Sequence, residues 1–366
     1  YGNTTDLNWM AGSQYVYSFG KCIFMPADLT AGIEFNQDKL EDNMWGYHRT
    51  VDQKVNIGSA FFQNEWKNEH WGFLIGGRLD KHNLIDHVIF SPRANLRYNP
   101  TENINLRFSY SSGFRAPQAF DEDLHVENVG GNVAMVELAD NLKEERSQSL
   151  SASADIYHRF GAFQVNFLVE GFYTKLSDVF ALTDGEVVDG ILTRTRYNAP
   201  GARVMGLTLE GKMAYLTKFQ VQAGVTLQQS HYSEPHVWNK EAPAVKKMMR
   251  TPNTYGYFTA TYTPIKPLSI ALSGTYTGSM LVPHEPVPGF LEKPITVNTK
   301  DFFDIGLKAA YDFKLYKSMN LQVNAGVQNI FNAYQNDFDK GADRDSGYIY
   351  GPSLPRSFFA GVKISY

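Results

Sequence analysis

Residues 357–366 read Ser357-Phe358-Phe359-Ala360-Gly361-Val362-Lys363-Ile364-Ser365-Tyr366. Successive side chains of an extended chain point to opposite sides. Phe358, Ala360, Val362, Ile364 and Tyr366 therefore share one face, and Ser357, Gly361, Lys363 and Ser365 fall on the other. The strand is two-faced and ends on an aromatic residue. A transmembrane barrel uses such a strand: apolar side chains meet lipid, polar ones meet the lumen, and aromatics mark the lipid–water boundary. Phe358, Val362, Ile364 and Tyr366 are then the residues expected to close and assemble the barrel.

The alternation recurs along the chain. In Asn103–Ser112, Ile104, Leu106, Phe108 and Tyr110 oppose Asn105, Arg107 and Ser109. In Phe90–Tyr98, Phe90, Ala94, Leu96 and Tyr98 oppose Ser91, Arg93, Asn95 and Arg97. In Ser149–Ile156, Leu150, Ala152, Ala154 and Ile156 oppose three serines and Asp155. Asp301–Phe313 and Leu321–Val327 follow the same rule. A soluble sandwich with one face in bulk water gives this pattern too. A long unbroken series without helical periodicity fits a barrel with a wet lumen better.

Connections alternate in length. Short ones fall near Asn99–Glu102, His158–Gly161, Tyr215–Lys218, Pro264–Pro267 and Leu315–Met319. Long ones fall near Gln37–Asp52, Arg115–Lys143, Ser230–Arg250, Val282–Thr299 and Tyr334–Gly351. Short inner turns and long outer loops are the asymmetry of outer-membrane barrels. The expectation is an all-β transmembrane antiparallel β-barrel of about 15 strands, with residues 1–366 as one barrel unit. An odd count in a single-chain bacterial barrel implies that an upstream segment completes it. Tyr1-Gly2-Asn3 already reads as strand and no signal peptide precedes it, so the sequence is expected to lack its beginning.

Composition agrees. A formal net charge of −4 over 366 residues is not a nucleic-acid-binding signature. Tyr and Phe number 21 and 25, which suits strands and membrane girdles. Mean hydropathy is −0.33, too polar for a helical membrane protein. The single cysteine, Cys22, excludes an internal disulfide and a thiolate metal cluster. No G-x-S-x-G turn, H-E-x-x-H pair or phosphate loop is present, so an enzyme is not expected and no intrinsic cofactor is implied.

Two groups of loop residues carry chemistry. Asp337, Asp339, Asp343 and Asp345 surround Gly341, and alternate aspartates on a tight turn can offer hard oxygens to Ca²⁺. Lys340 and Arg344 partly neutralise them, and the reading as a solvated acidic loop stands beside it. Aromatic and soft side chains gather in three outer loops: Trp45, Tyr47 and His48; His231, Tyr232, His236 and Trp238, with Met248 and Met249; and Met280 with His284. Aromatics give flat contact area at small entropic cost, which suits a large rigid ligand. Girdle and loop packing is the plainer reading of each residue taken singly.

Several landmarks resemble the barrel of TonB-dependent outer-membrane receptors. Ser91-Pro92-Arg93 opens a strand, and the next runs into Gly113-Phe114-Arg115-Ala116-Pro117. Gly171-Phe172-Tyr173-Thr174-Lys175 with Ser177-Asp178-Val179, then Arg196-Tyr197-Asn198 and Gly206, are similar to a strand and its returning partner. Asn329-Ile330-Phe331-Asn332, Gly351-Pro352, Pro355-Arg356 and Tyr366 are similar to the closing hairpin. Gln118–Leu124 and the last loop resemble receptors of the Bacteroides group. The resemblance implies the C-terminal two-thirds of a roughly 22-stranded barrel, plugged by an N-terminal domain that is not in this sequence.

It also implies roles. Lumen glutamates of the family pair with plug arginines, but Ser151 and Thr208 stand at those places here. Glu145 and Glu210 lie nearby and can substitute, ordinary lumen charges being the other reading, and Arg93, Arg97 and Arg107 are further plug-facing charges. Haem-receptor relatives carry a histidine between an F-R-A-P box and an N-P-N-L box. His125 takes that place, although Asp140 and Lys143 depart from the second box. A plain loop histidine is the other reading. The expected function is TonB-energised import, in the outer membrane of a Gram-negative bacterium, of a scarce bulky nutrient: a ferric siderophore, haem or cobalamin chelate. Expected partners are the TonB–ExbB–ExbD complex through the plug, the barrel assembly machinery, a surface lipoprotein lid, and lipid or lipopolysaccharide, without nucleic acid. A passive porin-like channel and a surface adhesin are the alternatives from other classes.

Overall fold

The computed structural model describes residues 2–119, 127–129, 132–316, 318–352 and 354–366. The strands in chain order are β1 (Gly2–Cys22), β2 (Met25–Met44), β3 (Arg49–Lys67), β4 (Trp71–His82), β5 (Ile89–Thr101), β6 (Ile104–Arg115), β7 (Glu127–Val129), β8 (Asn132–Leu138), β9 (Glu145–Phe160), β10 (Phe163–Ser177) and β11 (Val179–Val188). They continue with β12 (Ile191–Ala199), β13 (Ala202–Tyr215), β14 (Phe219–His236), β15 (Val245–Lys247), β16 (Thr254–Ile265), β17 (Leu268–Thr277), β18 (Leu281–His284), β19 (Ile295–Asn298), β20 (Phe302–Tyr316), β21 (Met319–Gln328) and β22 (Ser357–Ser365). A 3-10 turn at Trp45–Tyr47 interrupts the first long hairpin.

A 16-stranded sheet dominates, with β15 set off its path beside β14. The other fifteen strands follow one another in chain order, the loop strands being skipped, and every adjacent pair is antiparallel. That is the number the sequence pattern predicts. The closing hairpin shows why register is unambiguous. Leu321 faces Ile364, Val323 faces Val362, Ala325 faces Ala360 and Val327 faces Phe358, while Gln322 faces Lys363 and Asn324 faces Gly361. A slip of one residue would turn every apolar side chain to the wrong wall.

The outer wall is apolar and open. Phe358 is 79 % exposed, Val362 67 % and Ile364 63 %. An apolar surface that continues around the sheet cannot face water, and it is the lipid-facing wall of a barrel. The inner wall is polar and self-bonded. Asn95 donates to Ser109 at 2.6 Å, Ser149 and Thr174 meet at 2.9 Å, Thr208 and Thr226 at 3.0 Å, and Gln222 donates to Tyr257 at 2.7 Å.

The two ends differ. At one end strands are joined by turns such as Ile23-Phe24, Gly161-Ala162 and Lys266-Pro267. Gly161 takes φ 57° there, where a side chain would be strained. At the other end long loops carry their own sheets: β11-β12-β8-β7, and β18 with β19. Two expectations about loops need correction. Gln37–Asp52 is mostly strand, because β2 and β3 pair from Ala27↔Trp66 to Met44↔Arg49 and leave only Trp45–His48 as the turn. Residues 178–201 form an outer hairpin, β11 with β12, which the sequence pattern did not separate from the wall.

Candidate ligand-binding vestibule and inner wall

The long-loop end is tied together by buried charge. Glu285 accepts from Arg194 at 3.3 Å and from Asn239 at 2.8 Å, and both members of the Glu285–Arg194 pair are nearly buried. The neighbouring His284 ring lies flat on Tyr348 with centroids 3.8 Å apart, and its Nε2 meets Asp339 at 2.9 Å. Asp345 accepts the backbone N–H groups of Glu285 at 2.9 Å and Gly347 at 2.8 Å. Four loops, around residues 194, 239, 284 and 345, therefore meet in one knot. Charges this far from water persist only when paired and hydrogen-bonded. Met280 and Val282 pack with Tyr348 beneath it. Gln335, 1 % exposed, donates to the Tyr348 carbonyl at 3.0 Å and accepts from Tyr350 N–H at 2.8 Å.

These contacts reassign several residues singled out in the sequence. Met280 and His284 are buried and hold the loops together. The four aspartates do not converge as a calcium set. Asp337 accepts from the Tyr348 and Tyr350 hydroxyls at 3.3 and 2.6 Å, Asp339 faces His284, Asp345 faces backbone amides, and Asp343 is exposed. Among the described residues no group of three or more His, Cys, Asp or Glu side chains is arranged to hold a metal ion. Burial and the Asp337 carboxylate beside them push the Tyr348 and Tyr350 hydroxyls up, so both stay protonated donors.

The far end of β14 carries His231, Tyr232 and His236, and Trp238 lies just beyond it. Tyr232 and His236 rings lie 4.8 Å apart, and His231 Nδ1 and Trp238 Nε1 are buried without hydrogen-bond partners. β14 has 18 residues where about 9–11 cross a membrane, so its end projects well above the wall. Burial pulls the His236 imidazole down there, which keeps it neutral. Trp45 and Tyr47 sit at the tip of the β2–β3 hairpin, Trp45 66 % exposed, and His48 follows with φ 50°. His125 lies outside the described residues.

The inner wall carries the predicted charges, with partners of its own. Arg93 bonds Gln63, Arg97 donates to the Asn68 carbonyl at 3.1 Å, and Arg107 donates to Asn105 at 2.8 Å. Arg97 and Arg107 stand directly opposite each other on β5 and β6. Glu210 lies 3.9 Å from Lys212. Glu145 accepts the Phe180 N–H at 2.9 Å and so anchors the β11 hairpin. Two features escaped the sequence reading. Arg78 reaches Glu34 at 2.8 Å, Asp80 at 2.7 Å and Ser59 at 2.7 Å across β2, β3 and β4. Glu170 faces Ser153 and Thr208 on neighbouring strands, at the depth where a lumen carboxylate was sought. The inner-wall parity of Glu170 with Thr174 was the available signal.

Comparison with known proteins places this geometry. The family described as TonB dependent receptor-like, beta-barrel matches residues 1–330. None of the curated proteins matches. Among solved structures, a mutant ferric enterobactin receptor (PfeA) from Pseudomonas aeruginosa superposes with a TM-score of 0.69 at 17 % identity, covering 98 % of this chain and 54 % of that one. The siderophore receptor PirA from Acinetobacter baumannii gives 0.67 at 16 % identity, covering 99 % and 55 %. The ferric-catecholate import receptor Fiu from E. coli gives 0.67 at 15 % identity, with the same coverage. The chain thus spans about half the length of these receptors, and at such identities the likeness is one of fold. By the match over residues 1–330, this chain belongs to the TonB-dependent receptor family, as its β-barrel.

Proposed function

We propose that the chain is the membrane barrel of a Gram-negative outer-membrane receptor that imports a scarce, bulky nutrient, a metal chelate of the ferric siderophore, haem or cobalamin kind. The observation that carries this reading is the pairing of a wide polar inner wall with outer loops tied into one folded platform. The family is one of transport receptors and not of enzymes. The structural neighbours named above are receptors for ferric siderophores, which supports iron chelates first.

In this reading the loops bind ligand, and a plug domain in the lumen couples binding to TonB–ExbB–ExbD. Tyr232, His236 and Trp238 supply neutral donors and flat rings to the vestibule. Arg93, Arg97, Arg107, Glu170 and Glu210 supply the lumen charges that meet the plug. The barrel assembly machinery inserts the protein, and a surface lipoprotein lid is a further partner. The test is the visible spectrum and metal content of the full-length receptor purified from its own iron-limited cells. A broad charge-transfer band with stoichiometric iron supports a siderophore, a Soret band haem, and a corrin spectrum with cobalt cobalamin. A colourless, metal-free protein overturns the metal-chelate reading.

A further inference from the structure

The far end of β4 carries a buried imidazole. His82 is the last residue of that strand, at the long-loop end, and it is 0 % exposed. Its Nδ1 accepts the Leu84 N–H at 3.0 Å, and its Nε2 meets the Gln118 side-chain carbonyl at 3.3 Å. A backbone N–H only donates, so Nδ1 carries no proton. A carbonyl oxygen only accepts, so the one proton of the ring sits on Nε2.

These two bonds fasten two segments to the wall. Leu84 belongs to the turn between β4 and β5, where the Ile85 N–H donates to the His82 carbonyl at 3.2 Å and Lys81 Nζ to the Ile85 carbonyl at 2.6 Å. Gln118 belongs to the strap at residues 116–119 that follows β6. Gln53 fastens the strap at Ala119, accepting its N–H at 2.7 Å and donating to its carbonyl at 3.1 Å. Ile85, Ile89 and Ala116 pack together and join turn to strap.

A second proton on this ring finds no acceptor. It would sit on Nδ1 against the Leu84 N–H and turn a hydrogen bond into a contact between two donors. The charge would be buried and unpaired, which is costly. The charged groups around the ring do not offset it. Asp80, two residues lower on the same face, is held by Arg78 at 2.7 Å and by Ser59 at 2.6 Å. On β3 Ile57 stands directly opposite His82, with the uncharged Val55 and Gln53 above it on that face, and Asp38 of β2 lies beyond Val55. In the turn, Asp86 is exposed and His87 is held by Glu144 at 3.0 Å. Pro117, Gln118 and Ala119 of the strap are uncharged. Burial, opposed only in part by the Gln118 bond, pulls the His82 imidazole below the ordinary histidine range.

We propose that His82 is an acid-released latch: protonation expels the Leu84 amide and frees the β4–β5 turn together with the strap, loosening the root of the outer loop that carries β7 and β8. The latch does not depend on which cargo the receptor takes. The neutral ring keeps it closed above the open-state value, about 6.5. Each unit of pH below that weighs about tenfold against the closed form, until the buried ring itself titrates.

Hydrogen exchange of the full-length receptor in a lipid nanodisc, compared at pH 8 and pH 5 after correction for intrinsic rates, tests it. Protection of the Leu84, Ile85 and Ala119 amides is expected to fall about tenfold or more at the lower pH, while the strand amides of β20 and β21 keep theirs. His82→Gln keeps a donor and an acceptor but cannot titrate, and is expected to hold the same protection at both values. His87→Gln, at the exposed histidine of the same turn, is expected to respond as wild type does. Heat-modifiable gel mobility shows which variants are folded. Unchanged wild-type protection overturns the proposal, and so does a wild-type fall in folded His82→Gln. Loss of the response in His87→Gln overturns it as well, and that variant decides the matter should His82→Gln not fold.

Discussion

At the short-turn end, Trp71 lies on Tyr98 with ring centroids 4.2 Å apart and on Phe73 at 5.7 Å, Phe24 stacks on Trp66 at 5.6 Å, and Phe163 meets Tyr215 at 4.6 Å. At the long-loop end, Glu285 holds Arg194 across 91 positions of sequence and His284 holds Asp339 across 55. The first end is built from neighbours in the sheet, each contributing flat, lipid-boundary surface. The second is built from single buried pairs between loops that no sheet register connects. Stability is therefore distributed at the first end and concentrated at the second. Losing one ring thins a belt of many, whereas losing one buried charge strands its partner.

The largest effect is therefore expected from Glu285→Ala. It strips the carboxylate from Arg194 and Asn239 and costs the loop platform about 3–5 kcal/mol. Limited proteolysis should cut the loops around residues 240 and 290 while the barrel keeps its heat-modifiable mobility. Unchanged cleavage would remove the contrast between the two ends.

Next comes the wall between them. Arg78→Ala leaves Glu34 and Asp80 facing each other without their shared cation. Arg78 is about a third exposed, so solvent screening holds the loss to about 1 kcal/mol. A shift of the urea midpoint for barrel unfolding checks this, and Arg78→Lys should recover part of it.

Trp71→Ala removes two ring contacts at the girdle, each worth about 0.5–1.5 kcal/mol beyond its area. The same urea measurement should show a smaller loss than the two contacts suggest, because Phe73 and Tyr98 stay at the boundary. A loss as large as that of Glu285→Ala in its own assay would contradict the belt picture.

The smallest effect concerns pH. Burial pushes the Glu144 carboxyl up, but Arg146 and a backbone amide outweigh it and hold it below the ordinary glutamate range. A lowered folded-state pKa contributes stability that is fully present above the unfolded value and is lost as pH falls through the folded one. The Glu144–Arg146 tether, with His87 at 3.0 Å, should hold at neutral pH and loosen below about pH 4. Hydrogen exchange of residues 139–146 at pH 7 and pH 3, corrected for intrinsic rates, measures it.

The strand series was legible because period two survives every local variation. Leu321, Val323, Ala325 and Val327 announce their wall without knowledge of their partners. The turns were legible for the same reason, since alternation stops there. The loops were not. Asp339 and Asp345 look like metal ligands in sequence because their real partners, His284 and the Glu285 amide, lie 55 and 60 positions away. Gln37–Asp52 looked like loop because its charged residues hide a strand that continues beyond the membrane. Arg78 was passed over because its value comes from Glu34 on a strand it does not touch in sequence.

Outer loops held by the buried pairs of Glu285 and His284 should form a folded platform before any ligand arrives. Hydrogen exchange of the ligand-free protein in a lipid nanodisc tests that directly. The amides of Glu285, Gly347 and Tyr350, bonded to Asp345 and Gln335, should exchange slowly, within the range of the strand amides of β20 and β21. Exchange of those three at the rate of an unstructured chain, with the strands still protected, would contradict it.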